Sequence, residues 1–191
     1  GLKPADVRVI TPHIGGGFGS KGGIWSNMIL TAVAAKVVNR PVKLALTRQQ
    51  MFNTVGLRQL NRQKMRLAAT KDGKLTAVSH ETVTHTAIRD EFIEGCGDCS
   101  KIMYDSPNAF ISYRHVPMNL ILPTFTRGPG KAPGSFALES AIDELAHQLK
   151  IDPVEFRLRN EPAKDPSNGK PWYGLRSCAS RYQDHWPQAR S

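Results

Sequence analysis

Residues 15–23 read GGGFGSKGG, and what that stretch is built to hold decides how the rest of the chain is read. Glycine adds nothing to a core and costs backbone entropy, so a cluster of it marks dihedrals or close approaches that other residues refuse. Successive exposed amides in such a turn make a concavity that suits an anion. The flanks support this. Val7-Arg-Val-Ile10 reads as a short strand entering the loop, and SNMILTAVAAKVV at 26–38 has Met28, Ile29, Ala32, Val33, Ala35 and Lys36 at helical spacing. A helix opening just past the glycines adds its unsatisfied N–H groups to the same preference. Asn39-Arg-Pro41 stops that helix, and Val42-Lys-Leu-Ala-Leu46 alternates as a strand.

Further along, residues 62–69 and 75–87 read as a hairpin about Lys71-Asp-Gly-Lys74, an Asp-Gly turn whose second arm is rich in β-branched residues. Residues 88–107 carry Gly95, Gly97 and Pro107 and read as a long irregular loop, and 108–116 as another strand. Arg127-Gly-Pro-Gly-Lys-Ala-Pro-Gly134 is a second punctuated loop. Gly134 or Ser135 is expected to cap the helix FALESAIDELAHQLK, whose apolar face is Leu138, Ala141, Ile142, Leu145 and Leu149. Asp152-Pro153 opens a short helix to about Asn160, after which periodicity ends. The expected fold class is α/β or α+β, with mixed sheets and packed helices. Three parts are expected: 1–87 with the glycine loop, 88–160 with the Arg/Gly/Pro loop and its helices, and an irregular tail over 161–191.

The 191 residues suffice for one domain with a proper core, or two small ones. With 40% hydrophobic and 22% charged residues, the composition is that of a soluble globular protein. No apolar run approaches the roughly 18–20 residues that span a bilayer, and no signal-peptide pattern opens the chain. The sequence starts on Gly1 rather than Met, so Gly1 need not be the natural start.

Charge is uneven. Residues 1–75 carry 13 Lys and Arg against only Asp6 and Asp72, whereas 76–191 carry 13 basic and 14 acidic residues. A basic half suits an anionic partner, whether nucleic acid, an acidic subunit or a phosphorylated cofactor; it is also what a plain solvated face looks like. Aromatics at 7% leave few platforms for stacking bases. Cys96, Cys99 and Cys178 are an odd count, which fits a reducing compartment better than a disulfide framework. Cys96-Gly-Asp-Cys99 is a C-x-x-C pair, but a structural zinc needs about two further ligands. His80, His85 and His115 are the nearest histidines to supply them, and two ordinary thiols is the simpler reading.

Known glycine-loop chemistries discriminate further. A phosphate-binding P-loop has Gly before its Lys and Ser or Thr after it, to hold magnesium; here Ser20 precedes Lys21 and Gly22 follows. The dinucleotide fingerprint G-x-G-x-x-G fits formally as Gly17, Gly19 and Gly22, yet it wants an acidic residue about 20 positions on for the ribose hydroxyls. Between Asp6 and Asp72 there is no Asp or Glu.

Gly15-Gly-Gly-Phe-Gly-Ser-Lys21 resembles the G-G-G-F-G-G-K segment of the xanthine dehydrogenase and aldehyde oxidase family, in the subunit that binds the molybdenum cofactor. The second loop and the FALESAIDELA helix resemble that family's R-x-P-G-x-A-P-G segment, and Ile151-Asp-Pro-Val-Glu-Phe-Arg-Leu-Arg-Asn160 its next segment, in the same order. The likeness covers about residues 5–172 and is nearest to the bacterial aldehyde oxidoreductase branch, where the large subunit is a separate chain.

The resemblance implies a molybdopterin ligand, in some members extended as the cytosine dinucleotide, held by Gly15, Gly16, Gly17, Phe18, Gly19, Ser20, Lys21, Arg127, Gly128, Gly130 and Gly134. Phe18-Gly19 would lie beside the metal, and Arg127, the implied catalytic residue of this stretch, would donate to oxo ligands or a bound carbonyl oxygen. No protein side chain is expected to ligate the metal. Each residue also has a plainer part to play. Phe18 suits a core, Gly15–Gly17 a tight turn, Arg127 an ion pair with Glu139, and Lys21 a solvated surface.

Ser20 replaces a family glycine, and Lys131 stands where relatives often carry an acid. The family's base glutamate belongs to a G-x-G-E-like segment near its far C-terminus, which these 191 residues do not contain, and its upstream glutamine would precede Gly1. The final stretch, GLRSCASRYQDHWPQARS, stops resembling the family. The chain is therefore expected to be a partial, inactive piece of an enzyme that hydroxylates aldehydes or N-heteroaromatics with water-derived oxygen. Its iron–sulfur clusters and FAD would sit on partner subunits, since three cysteines are too few for one four-cysteine cluster. Its compartment is expected to be the cytoplasm, or the periplasm where a partner carries an export signal. The alternatives are a functionless remnant of the enzyme, or a nucleic-acid-binding module with Lys21, Arg40, Lys43, Arg58, Arg62, Lys64 and Arg66 on phosphates.

Overall fold

The computed structural model describes residues 2–166 and 168–171. After a 3-10 turn at Pro4–Asp6 come α1 (Ser26–Val38), α2 (Arg48–Thr54), β1 (Asn61–Ala69), β2 (Leu75–Ala87), α3 (Asp98–Ile102), β3 (Ala109–Met118), α4 (Lys131–Leu149) and α5 (Pro153–Arg159). The three strands form one mixed sheet in the order β1-β2-β3, antiparallel between β1 and β2 and parallel between β2 and β3. This is the mixed α/β class that the sequence implies. Because β2 and β3 pair from Val78↔Ala109 to Ala87↔Met118, the sheet continues across residue 88.

The hairpin turns where the Asp-Gly pair stands. Gly73 takes φ 84° and donates to the Thr70 carbonyl at 2.9 Å, while Thr70 N–H donates to Lys74 at 2.8 Å. One face of β1, with Met65, Leu67 and Ala69, lies under α4, whose buried residues Gly134, Leu138, Ile142 and Ala146 recur every fourth position. Leu75, Val78, Cys99, Tyr104, Leu138, Ile142, Ala146 and Phe156 form the core. Buried Asn160 fastens α5 to the hairpin: its amide donates to Gly73 O at 2.7 Å and its carbonyl oxygen accepts from Leu75 N at 2.8 Å. Arg157 binds Glu139 and Asp143 of α4 at 2.6 and 2.7 Å.

At the start of α5 the Asp152 carboxylate accepts from Val154 and Glu155 amides at 2.9 and 3.2 Å. Asp152→Ala leaves those amides without that acceptor and is expected to cost ~1 kcal/mol. A thermal melt should fall by about 2–4 °C; an unchanged melting temperature would show that water replaces the cap fully.

Four sequence expectations are corrected. Residues 7–10 and 42–46 form no strand, because no other strand among the described residues lies beside them to complete a ladder. Helix α2 was not foreseen; Thr47 and Gln50 close a reciprocal capping box that starts it. The supposed irregular loop over 88–107 contains α3. Helix α4 begins at Lys131, capped by Gly130, rather than after a cap at Gly134 or Ser135, because Pro133 lies in its first turn, where a missing N–H costs nothing. Residues 172–191, which include Cys178 and most of the expected tail, lie outside the described residues.

Candidate functional site

The two glycine-bearing loops, far apart in sequence, meet. The Arg127 amide donates to the Phe18 carbonyl at 2.9 Å. Gly19, at φ 88°, lies so close that a Cβ there would stand 2.9 Å from the Phe125 carbonyl oxygen. Phe18 itself has φ 50°, a left-handed conformation that a bulky residue adopts only when its surroundings impose it. Its ring lies over Gly16, where a Cβ would be 2.6 Å from the ring edge, yet the residue is 68% exposed. Phe18 is thus not a core residue.

Within the first loop, Gly22 N–H donates back to Gly19 at 3.0 Å and the Trp25 indole donates to the Ser20 carbonyl at 2.9 Å. Among the described residues, the amides from Gly15 to Lys21 donate to no protein acceptor. Ser20 adopts no positive φ, so the serine that replaces a family glycine fits its backbone, and its hydroxyl donates to Gly17 O at 3.3 Å. Lys21 is exposed. The loop therefore presents a row of free N–H groups beside a lysine.

The second loop divides in two. Arg127 and Gly128 are exposed, with Gly128 at φ 67°. The expected Arg127–Glu139 pair is absent, because Glu139 instead holds Arg157 at 2.6 Å and accepts from the Tyr104 hydroxyl at 2.7 Å. Among the described residues no acceptor meets the Arg127 guanidinium. Gly130 and Gly134 are buried and face inward. A Cβ on Gly130 would be 2.5 Å from Gly95 O, and one on Gly134 would be 1.9 Å from Cys96 O. These two serve close packing of the α4 start on residues 95–96, whereas Gly15–Lys21, Arg127 and Gly128 share the exposed junction.

Buried groups beneath this junction had no sequence signal beyond their polarity. Glu94 is 1% exposed. Its Oε1 accepts from Arg58 Nη1 at 2.5 Å and from the Gly130 amide at 2.9 Å. Gln59, also buried, accepts from the Glu94 amide at 2.9 Å and donates to His85 O and Phe92 O at 2.6 and 2.8 Å. Of the basic residues proposed for nucleic-acid phosphates, Arg58 is thereby committed to Glu94, and Arg66 pairs with Glu81.

The C-x-x-C pair lies inside the core. Cys96 and Cys99 are free thiols, both buried, and Cys99 Sγ donates to Cys96 O at 3.1 Å. Burial, reinforced by the Glu94 charge, pushes the Cys96 thiol up to about 11, which removes it from thiolate chemistry near neutral pH. Buried His80 spans Ser100 Oγ at 2.8 Å and Gln63 Oε1 at 2.7 Å, and desolvation lowers its pKa. His115 Nδ1 faces Glu91 at 2.9 Å. Among the described residues no group of three His, Cys, Asp or Glu side chains is placed to hold a metal, and no helix is long and apolar enough to cross a membrane.

Residues 1–161 match the family described as the molybdopterin cofactor-binding domain. The chain is 39% identical over 171 residues to the aldehyde oxidoreductase molybdenum-binding subunit of Escherichia coli (strain K12), covering 85% of this chain and 22% of that one. It is 31% identical over 185 residues to the xanthine dehydrogenase molybdenum-binding subunit of Escherichia coli O157:H7, covering 92% of this chain and 24% of that one. Among solved structures it is similar to the aldehyde oxidoreductase of Desulfovibrio gigas, with a TM-score of 0.78 and 28% identity over 93% of this chain and 20% of that one. The chain thus spans about a fifth to a quarter of the relatives it matches.

Proposed function

Because this chain belongs to the molybdopterin cofactor-binding domain family, whose members include the molybdenum-binding subunits of aldehyde oxidoreductases and xanthine dehydrogenases, we propose that it is the cofactor-holding portion of a molybdenum hydroxylase acting on aldehydes or N-heteroaromatics. The observation that carries this reading is the bond from the Arg127 amide to the Phe18 carbonyl, which joins the two loops into one exposed cradle.

The residues present fit a long anionic ligand. Free amides from Gly15 to Lys21 offer hydrogen bonds to phosphate or pterin oxygens, and the Lys21 ammonium and Arg127 guanidinium add positive charge. Gly19 allows backbone to approach backbone where no side chain fits. Arg127, which meets no acceptor among the described residues, is the group here suited to orient an oxygen of substrate or cofactor. When bound, the molybdenum cofactor supplies the two-electron chemistry by which water-derived oxygen enters an electrophilic carbon. The dinucleotide form of the pterin, and iron–sulfur and FAD partner subunits in the cytoplasm, belong to the same proposal.

The test is metal and pterin analysis of the chain purified from a host that makes the cofactor. Bound molybdenum and pterin, released together on denaturation, are the expected result. Absence of both overturns the reading of these loops. As the chain spans only 22% of its aldehyde oxidoreductase relative, no turnover of aldehyde is expected from it as sole polypeptide, and measurable turnover would overturn that part.

A further inference from the structure

The geometry points to Arg58 and Glu94 as a positioning pair that sets the second loop against the first, a role that rests on the cofactor reading of those loops. Arg58 lies between α2 and β1, away from the exposed cradle in sequence, yet its guanidinium reaches three acceptors there. Nη1 donates to Glu94 Oε1 at 2.5 Å, and Nη2 donates to the carbonyls of Thr126 at 3.1 Å and Arg127 at 2.5 Å. Glu94 completes the grip from below, since the same Oε1 accepts from the Gly130 amide at 2.9 Å, one residue before α4 begins. Residues 126, 127 and 130 are therefore held from one side by a single ion pair.

The exposed face of that segment carries the Arg127 amide, which bonds Phe18 O. A planar fork that holds two adjacent carbonyls and a carboxylate fixes orientation as well as distance, which a lysine point charge does not. Glu94 is itself oriented: Gln59 accepts from its amide, and its carboxylate sits at the positive end of the 19-residue α4. Glu94 Oε2 is buried and meets no partner among the described residues, so there the carboxylate holds this junction through Oε1. Neither Arg58 nor Glu94 touches the free amides of the first loop. Their action passes through Arg127.

Three variants separate positioning from mere support. Arg58→Lys keeps the charge beside Glu94 but loses the fork. Arg58→Met strands a buried carboxylate, and Arg58→Met/Glu94→Leu removes both charges together, a change that proteins often tolerate without loss of stability. The single Met variant should melt far below the wild type, and the double variant should recover most of that drop. Amide exchange followed by NMR should nevertheless quicken at least tenfold at Arg127, with little change in β1 and β2, in both Arg58→Lys and the double variant. Molybdenum and pterin per chain, from a cofactor-making host, should fall at least tenfold in the same two variants. Wild-type exchange at Arg127 in the double variant overturns the positioning role whatever the pterin content. A wild-type chain that carries no pterin instead overturns the cofactor reading itself.

Discussion

Gly134→Ala is expected to destabilise this chain more than any other single-methyl addition among its described glycines. The new Cβ would stand 1.9 Å from the Cys96 carbonyl oxygen, 2.7 Å from its carbon and 3.0 Å from its Cα. Those atoms are backbone, so no rotamer change relieves the clash. They belong to the segment that runs straight into α3, which packs between α4 and β3 and contributes Cys99 to the core. Moving α4 outward instead would lift Leu138, Ile142 and Ala146, each fully buried, off β1. Overpacking of a rigid core site costs typically 1–3 kcal/mol, and with backbone on the receiving side we expect at least ~3 kcal/mol. That corresponds to a fall in melting temperature of roughly 6–12 °C for a chain of this size. Gly23→Ala is the control, because its Cβ meets nothing within 4 Å, and it should stay within about 0.5 kcal/mol of the wild type. A Gly134→Ala protein that melts like Gly23→Ala would mean that α4 does not start against residues 95–96.

That glycine also shows where the sequence was legible and where it was not. Local chemistry read correctly in three places where one short stretch decides the outcome: the Asp-Gly hairpin, the apolar run of α1 and the Asp152-Pro153 helix start. It misjudged elements whose decision lies elsewhere. Pro133 and Gly134 look like loop punctuation, but the proline falls in a first turn that needs no N–H, and the glycine is there because a carbonyl from a distant segment leaves no room for a methyl. The Val7–Ile10 and Val42–Leu46 stretches have strand composition, yet Val9 and Ile10 are 84% and 66% exposed and, among the described residues, no neighbouring strand makes a ladder with them. Alternation records a preference for being half-buried, not the existence of a partner. Helix α2 was readable after all, since Thr47-Arg-Gln-Gln50 is a capping-box signature.

The candidate site divides the same way. Glycine clustering in 15–23 marks an unusual backbone from residue type alone, and the second loop is marked by its punctuation. Their junction is not. It depends on the Arg127–Phe18 bond and on the Arg58–Glu94 pair, contacts between segments that no local window contains. An Arg in a basic stretch and a Glu between Ile93 and Gly95 give no hint that the half-buried Arg58 will pair with a buried Glu94. In sequence Arg58 looks like one more surface cation beside the basic residues Arg62, Lys64 and Arg66.

Gly19→Ala should abolish cofactor retention while leaving the fold standing. Two penalties act at that position. A Cβ would stand 2.9 Å from Phe125 O and 3.1 Å from its carbon, and the backbone φ of 88° is one that an alanine adopts at a cost of about 1–2 kcal/mol. The Phe125 carbonyl has little freedom to retreat, because the Phe125 ring meets Phe92 edge-to-face at 5.1 Å and the next carbonyl, that of Thr126, is held by Arg58. The exposed first loop is the side that yields. Nothing between Leu2 and Thr54 is buried, so its displacement costs no core contact, and the melting temperature should fall by only a few degrees. Displacing Gly19 nevertheless pulls Phe18 O from the Arg127 amide and shifts the neighbouring free amides relative to the second loop. A loss of ~1.4 kcal/mol in ligand binding is already tenfold, and several amide bonds should be lost together. Molybdenum and pterin per chain are therefore expected to drop at least tenfold in Gly19→Ala, with no drop in Gly23→Ala, which adds the same methyl on the same loop where space is open. If both variants retain cofactor alike, the close approach of Gly19 to Phe125 is a packing detail, and the ligand is gripped by some other part of the chain.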